Sequence, residues 1–156
     1  MTRRTVWLFS MSLFLVLYAA AQSQSKQAGH SDKDRLIGAW HLVKIESPGL
    51  DGKALPSSQP AGMLIYTKDG HMSVQLMYPG KTISNEYVEQ GYEASFGSYD
   101  VDESRHLVTH HVQGSVTRDR LVGKDLPRRF EFTPGGYLQI RSANPEEHWL
   151  VTWEKY

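Results

Sequence analysis

The residues best able to do chemistry in this chain gather near one segment. His106, His110 and His111 lie in or beside the alternating stretch Leu107 to Val116. Imidazoles bind metals and move protons near neutral pH. Adjacent strand residues point to opposite faces, so His110 and His111 cannot grip one metal together. His106 and His110 share a face but stand about 13 Å apart on an extended chain. No His-x-His occurs, and the spacing that metal coordination needs is missing. Asp100 and His110 fall on facing strands, but Asp100 points away from the side that Tyr99 shares, so no inner Asp–His dyad is expected. No Gly-x-Ser-x-Gly elbow, phosphate loop or dinucleotide fingerprint is present. There is no cysteine, which removes thiol catalysis, thiolate metal sites and disulfides.

Short alternating segments must position these groups. The reading places strands at Ala39–Glu46, Met63–Thr67, His71–Tyr78, Phe96–Asp100, Leu107–Val116, Arg128–Phe132, Tyr137–Ser142 and His148–Lys155. Turn signals separate them, among them Lys68-Asp69-Gly70, Asp102-Glu103-Ser104-Arg105 and Pro134-Gly135-Gly136. Asp32 to Leu36 can form one helical turn capped by Ser31 or Asp32. A short helix is expected over Ser84 to Ala94, between strands three and four, with Glu86, Glu89 and Glu93 on its solvated side. Eight short strands with little helix predict an all-β fold, an antiparallel up-and-down barrel able to hold one small ligand.

Period-two alternation then assigns the lumen. Met72, Val74, Leu76 and Tyr78 share one face, as do Val108, His110, Val112 and Val116. Arg128 shares a face with Phe130 and Phe132, and Tyr99 with Gly97 and Val101. An apolar lumen with a few polar groups, His110, Tyr99, Tyr66 and Arg128, is the composition of a small-molecule pocket. The expected ligand contacts are Tyr66, Met72, Val74, Leu76, Tyr99, His110, Val112, Arg128 and Phe130.

The N-terminus speaks to compartment. Arg3 and Arg4 precede an apolar stretch, Val6 to Tyr18, followed by Ala19-Ala20-Ala21. That is the pattern of a secretory signal peptide over residues 1–21, too short for a membrane span. The paired arginines leave general and twin-arginine export both open. Residues 22–35 read as a flexible spacer and 36–156 as one barrel domain. The chain has 17 basic and 17 acidic residues, which favours neither nucleic acid nor an anionic membrane as partner.

Leu36-Ile37-Gly38-Ala39-Trp40, Gly62 to Gln75, Gly97 to Asp102, Val108 to Val112 and Arg128-Arg129-Phe130 together resemble the bacterial lipocalin-like domain family. The resemblance implies a lipocalin-type (calycin) barrel closed at its floor by Gly38 and Trp40, with Arg128 or Arg129 covering the indole. It implies little chemistry. The expectation is an exported protein, periplasmic or secreted, that binds a small apolar or amphipathic molecule, with no cofactor, metal or catalytic residue. Two alternatives remain: a barrel isomerase or cyclase using Tyr99 and His110 as acid and base, and a haem carrier using an inner histidine. A protein partner is undetermined.

Overall fold

The computed structural model describes residues 31–46, 60–79 and 84–156. The expected signal peptide, the first part of the spacer and most of the loop before Pro60 lie outside them. A one-turn helix, α1 (Asp32–Leu36), precedes eight strands: β1 (Gly38–Glu46), β2 (Ala61–Tyr66), β3 (His71–Met77), β4 (Tyr92–Asp102), β5 (Leu107–Ser115), β6 (Asp125–Phe132), β7 (Leu138–Ser142) and β8 (Leu150–Lys155). Each strand pairs antiparallel with the next, and β1 also pairs with β8, so the sheet closes into a barrel. No helix among the described residues is long and apolar enough to cross a membrane.

The alternation in β3 shows why the sheet curls around a core. Met72, Val74 and Leu76 are buried, whereas His71, Gln75 and Met77 are exposed. Buried side chains from the other strands, such as Leu64, Val108, Leu138, Ile140 and Trp153, complete the same interior. The tight turns gather at one end. At the β2–β3 hairpin, Gly70 takes a φ of +90° that a side chain would resist, and its N–H bonds Thr67 O at 3.2 Å.

That end is sealed by α1 and Trp40. Ser31 caps the helix by accepting from the Asp34 N–H at 3.1 Å. Trp40 is 2 % exposed and donates its indole N–H to Leu36 O at 2.8 Å. Its cover is not Arg128 or Arg129. Lys155 Nζ sits 5.1 Å from the Trp40 ring, and Phe132 lies 6.2 Å away with the Arg35 guanidinium stacked on it at 3.8 Å. Register explains the choice, because Trp40 and Lys155 are direct partners across the closing pair of strands. Gly38 keeps that lysine close, since a Cβ there would meet the Lys155 side chain at 2.7 Å.

Two bulges shift the expected faces. In β1 the pairing with β8 slips between Leu42 and Lys44, leaving Val43 outside and turning Ile45 inward. In β5, Gly114 pairs with Phe96 but Val112 pairs with Gly97, so Gln113 is an extra residue. Val116, expected on the inner face, is therefore exposed.

The helix expected over Ser84 to Ala94 does not form; the fold's α-helix is α1, before β1. The Asn85 side chain accepts from the N–H groups of Tyr87 and Val88, both at 2.9 Å, a local turn that competes with helical bonding. Gln90 and Gly91 both take positive φ, and the chain turns straight into β4, which begins at Tyr92. Arg118 holds the segment from the β5–β6 connection, donating to Val88 O at 2.6 Å and pairing with Glu89. Burying Val88 (1 % exposed) outweighs the weak helical preference of a segment ending in glycine.

Candidate functional site

The strand ends that lead into the longer connections lie at the end opposite Trp40, and a cavity of about 110 Å³ opens there. Its walls are apolar: Ile45, Leu64, Val74, Leu76, Leu126, Ile140, Val151 and Trp153. Asn85, Tyr87 and Val88 from the β3–β4 connection and Trp149 before β8 bound it at the rim. Its polar side chains are Tyr78, Glu93, Ser95, His110 and Arg128.

His110 is buried on the inner face of β5, whereas His111 keeps about a third of its side chain exposed. The Tyr66 hydroxyl lies 2.6 Å from His110 Nε2. Burial, with the nearby Arg128 cation second, drives the imidazole down to about 3. Burial likewise pushes the Tyr66 hydroxyl far above its ordinary range. The two are thus a neutral hydrogen-bonded pair at any physiological pH. A proton-transfer group works best with a pKa near the operating pH, and this pair is far from it.

Arg128 reaches the same cavity from β6 and is 7 % exposed. Its guanidinium lies 4.9 Å from the ring centres of both Tyr87 and Trp149. Glu147 orients those rings, accepting from the Tyr87 hydroxyl at 2.8 Å and the Trp149 indole N–H at 2.9 Å. Burial raises Tyr87 to about 12 and raises Tyr78 further. Glu93 is the one carboxyl in the cavity lining. Burial lifts it to about 7 against the opposing pull of Arg128.

Of the residues expected from sequence, Val74, Leu76, His110 and Arg128 line this cavity. Tyr66 sits behind His110 as its partner. Met72, Tyr99 and Phe130 pack in the core away from the cavity lining, and Val112 is buried beside the β5–β6 turn, where its carbonyl accepts from Gly123 at 2.8 Å. The Tyr99–His110 acid–base pairing is not formed. The two are register partners, but the Tyr99 hydroxyl donates to Thr67 O at 2.9 Å. Gly38 and Trp40 stand at the sealed floor. Asp100, as expected, faces outward and bonds His111 rather than His110.

Glu93, Tyr87, Trp149 and Trp153 line the cavity but were not among the expected contacts. Glu93 had a readable signal: it continues the two-residue spacing of Tyr99, Gly97 and Ser95 on one face of β4. The false helix hid it. Tyr87 comes from a connection, where no strand period announces direction, whereas Trp149 falls in the expected strand His148–Lys155 and shares the two-residue spacing of Val151 and Trp153.

A haem held through His110 does not suit these residues. The Nε2 that would ligate iron is committed to Tyr66, and the cavity is smaller than the roughly 150 Å³ void that accepts a single benzene. Among the described residues no group of three or more metal-ligating side chains comes together.

No curated protein matches the chain. The family model described as a lipocalin-like domain matches residues 37–156, the span of the closed barrel from the approach to Trp40 through β8. Sequence match, eight-stranded closure and a Trp-sealed floor agree, and the chain belongs to the lipocalin-like domain family.

Proposed function

We propose that this protein binds a small apolar or amphipathic molecule in the barrel lumen, entering at the end opposite Trp40. The observation that carries this reading is the cavity itself: an apolar wall with a small convergent polar group, bounded by connections rather than by a packed floor. Its small volume favours a compact ligand over the drug-sized molecules that fill pockets of about 300 to 1,000 Å³. The contacts proposed from the earlier set are Val74, Leu76, His110 and Arg128, joined by Glu93, Tyr87, Trp149 and Trp153. Export remains part of the proposal, on the strength of Arg3-Arg4, the apolar stretch Val6 to Tyr18 and Ala19-Ala20-Ala21.

Linear alcohols from butanol to octanol test the reading, with quenching of Trp149 and Trp153 fluorescence as readout. Affinity should rise with chain length and then stop once the lumen is full. Val151→Phe, which fills the cavity from β8, should abolish binding while the strand spectrum by circular dichroism is unchanged. Equal binding by the wild type and a folded Val151→Phe variant sinks the lumenal site.

A second reading, acid–base catalysis in the barrel, draws support from Glu93, whose carboxyl near 7 is matched to neutral pH. A compound that enters the barrel and is released unchanged speaks for carriage. Conversion that disappears in Glu93→Gln speaks for catalysis.

A further inference from the structure

Arg128 brings a cation into the cavity lining, and few of its donors are occupied among the described residues. Among the described residues its backbone hydrogen bond is long, Nη1 to Pro127 O at 3.4 Å, and no carboxylate lies within ion-pair distance. A guanidinium carries five N–H donors in a planar fork, and a buried charge without a partner is costly. The rings of Tyr87 and Trp149 and the Glu147 carboxylate beyond them offset part of that cost, and the Tyr87 hydroxyl meets one edge of the guanidinium, which leaves most of the fork open. A second donor is also idle: the Trp153 indole N–H is buried and has no hydrogen-bond partner among the described residues. The lumen therefore presents donors in want of an acceptor.

The surroundings discriminate among ligand classes. A cationic ligand is disfavoured because Arg128 already occupies the aromatic faces that would hold it. A dianion such as a phosphate monoester calls for more than one cation, and Glu93 shares the cavity. A neutral oxygen accepts from the fork but leaves its charge uncompensated. A carboxylate matches it, since two parallel N–H···O bonds fit a planar monoanion. We infer that the lumen takes a small monocarboxylate, its carboxylate seated on Arg128 and its apolar tail against Leu76, Ile140, Val151 and Trp153. This deepens, and rests on, the lumenal binding proposed above.

Glu93 gives the site a pH signature. The groups that face it are Tyr78 from the end of β3, Tyr87 from the β3–β4 connection, His110 from β5 and Arg128 from β6, with Glu147 beyond the rings. Tyr78, Tyr87 and His110 stay neutral between pH 5 and 9, and Glu147, held below its usual range, stays ionised. Glu93 alone changes state there. A ligand carboxylate is welcome beside a protonated Glu93 and repelled by an ionised one, so binding takes up a proton above neutrality.

The experiment uses the barrel chain with pentanoate, pentanamide and pentanol, followed by calorimetry and tryptophan fluorescence. Pentanoate should bind about tenfold more tightly than pentanamide at pH 6, the scale of a charge-assisted pair. That preference should shrink toward pH 9. Arg128→Gln should erase it without weakening pentanol binding. Glu93→Gln, which leaves the fork in place, should keep the preference and make it independent of pH. If Arg128→Gln does not fold, the Glu93→Gln pH series decides alone. Pentanoate no tighter than pentanamide, with pentanol bound, overturns the carboxylate assignment and leaves lumenal binding standing. If none of the three binds, both fall together.

Discussion

The two ends of the barrel lay basic side chains on aromatic rings, yet they end in opposite states. At the floor, Lys155 and Arg35 cover Trp40 and Phe132, and each polar group finds a protein partner. The Trp40 N–H reaches Leu36 O, Arg35 pairs with Asp32 at 3.1 Å, and Lys155 Nζ donates to Arg35 O at 3.2 Å. At the rim, Arg128 lies on Tyr87 and Trp149, but the polar atoms of those rings go to Glu147. Among the described residues the cation keeps most of its donors free, with a cavity before it. One motif closes a barrel when its hydrogen bonds are internal and, on the proposed reading, offers a binding site when donors are left over. That contrast predicts that floor variants change stability and rim variants change binding.

The largest expected effect breaks the floor. Trp40→Ala deletes a fully buried indole and should cost about 3 to 5 kcal/mol, read as a fall in the urea midpoint. Trp149→Ala at the rim, where the ring is half-buried, should cost about 1 kcal/mol yet abolish tight ligand binding. Equal losses of stability from the two would erase the distinction between floor and rim.

Next is the carboxyl in the lumen. Glu93 holds its proton more tightly folded than unfolded, with a pKa raised from 4.5 to about 7. Its contribution is therefore fully present below pH 4.5 and is lost as pH rises toward 7. The span is at most on the order of 3 kcal/mol, because the residue keeps some exposure to solvent. Glu93→Gln should flatten this part of the pH profile, so the variant should exceed the wild type in stability at pH 8. A wild-type slope retained in Glu93→Gln would place the cause elsewhere.

How far the sequence foretold these two ends differs by physical scale. Eight strands were legible because alternation such as Met72, Val74 and Leu76 repeats at period two and the turn residues mark each reversal. The Ser31 cap of α1 was legible for the same local reason. Register was harder. The lysine over Trp40 follows from the pairing of β1 with β8, which no local pattern states. Single extra residues, Val43 and Gln113, reverse faces without altering composition, and so Val116 was misplaced. The segment Ser84 to Gly91 was misread because its conformation is set by tertiary partners, Arg118 above all, and by the burial of Val88. With the false helix in place, Glu93 looked like one more solvated acid. The rim was thus less legible than the floor, since connections carry its chemistry.

The smallest effect lies outside the barrel and sharpens the reading of the lumen. His111 sits between two carboxylates, Nδ1 to Asp125 at 2.6 Å and Nε2 to Asp100 at 2.9 Å, tying β5 to the outer faces of β6 and β4. The Asp125 bond first, and the Asp100 bond second, raise its pKa above the ordinary 6.5. The stability it adds is present below 6.5 and lost as pH rises through the raised value. That is the same sign as for Glu93, so pH alone cannot separate them. Salt can. His111 is about a third exposed, its pairs should contribute no more than about 1 kcal/mol, and a Debye length of about 3 Å at 1 M salt screens them. Glu93 owes its shift to burial, which salt hardly touches. Urea midpoints across pH 5 to 9 should therefore keep most of their slope at 1 M salt, and His111→Gln should remove only the part that salt removes. If high salt erases the whole slope, Glu93 is solvated, the rim encloses no low-dielectric lumen, and the contrast between the two ends of the barrel collapses.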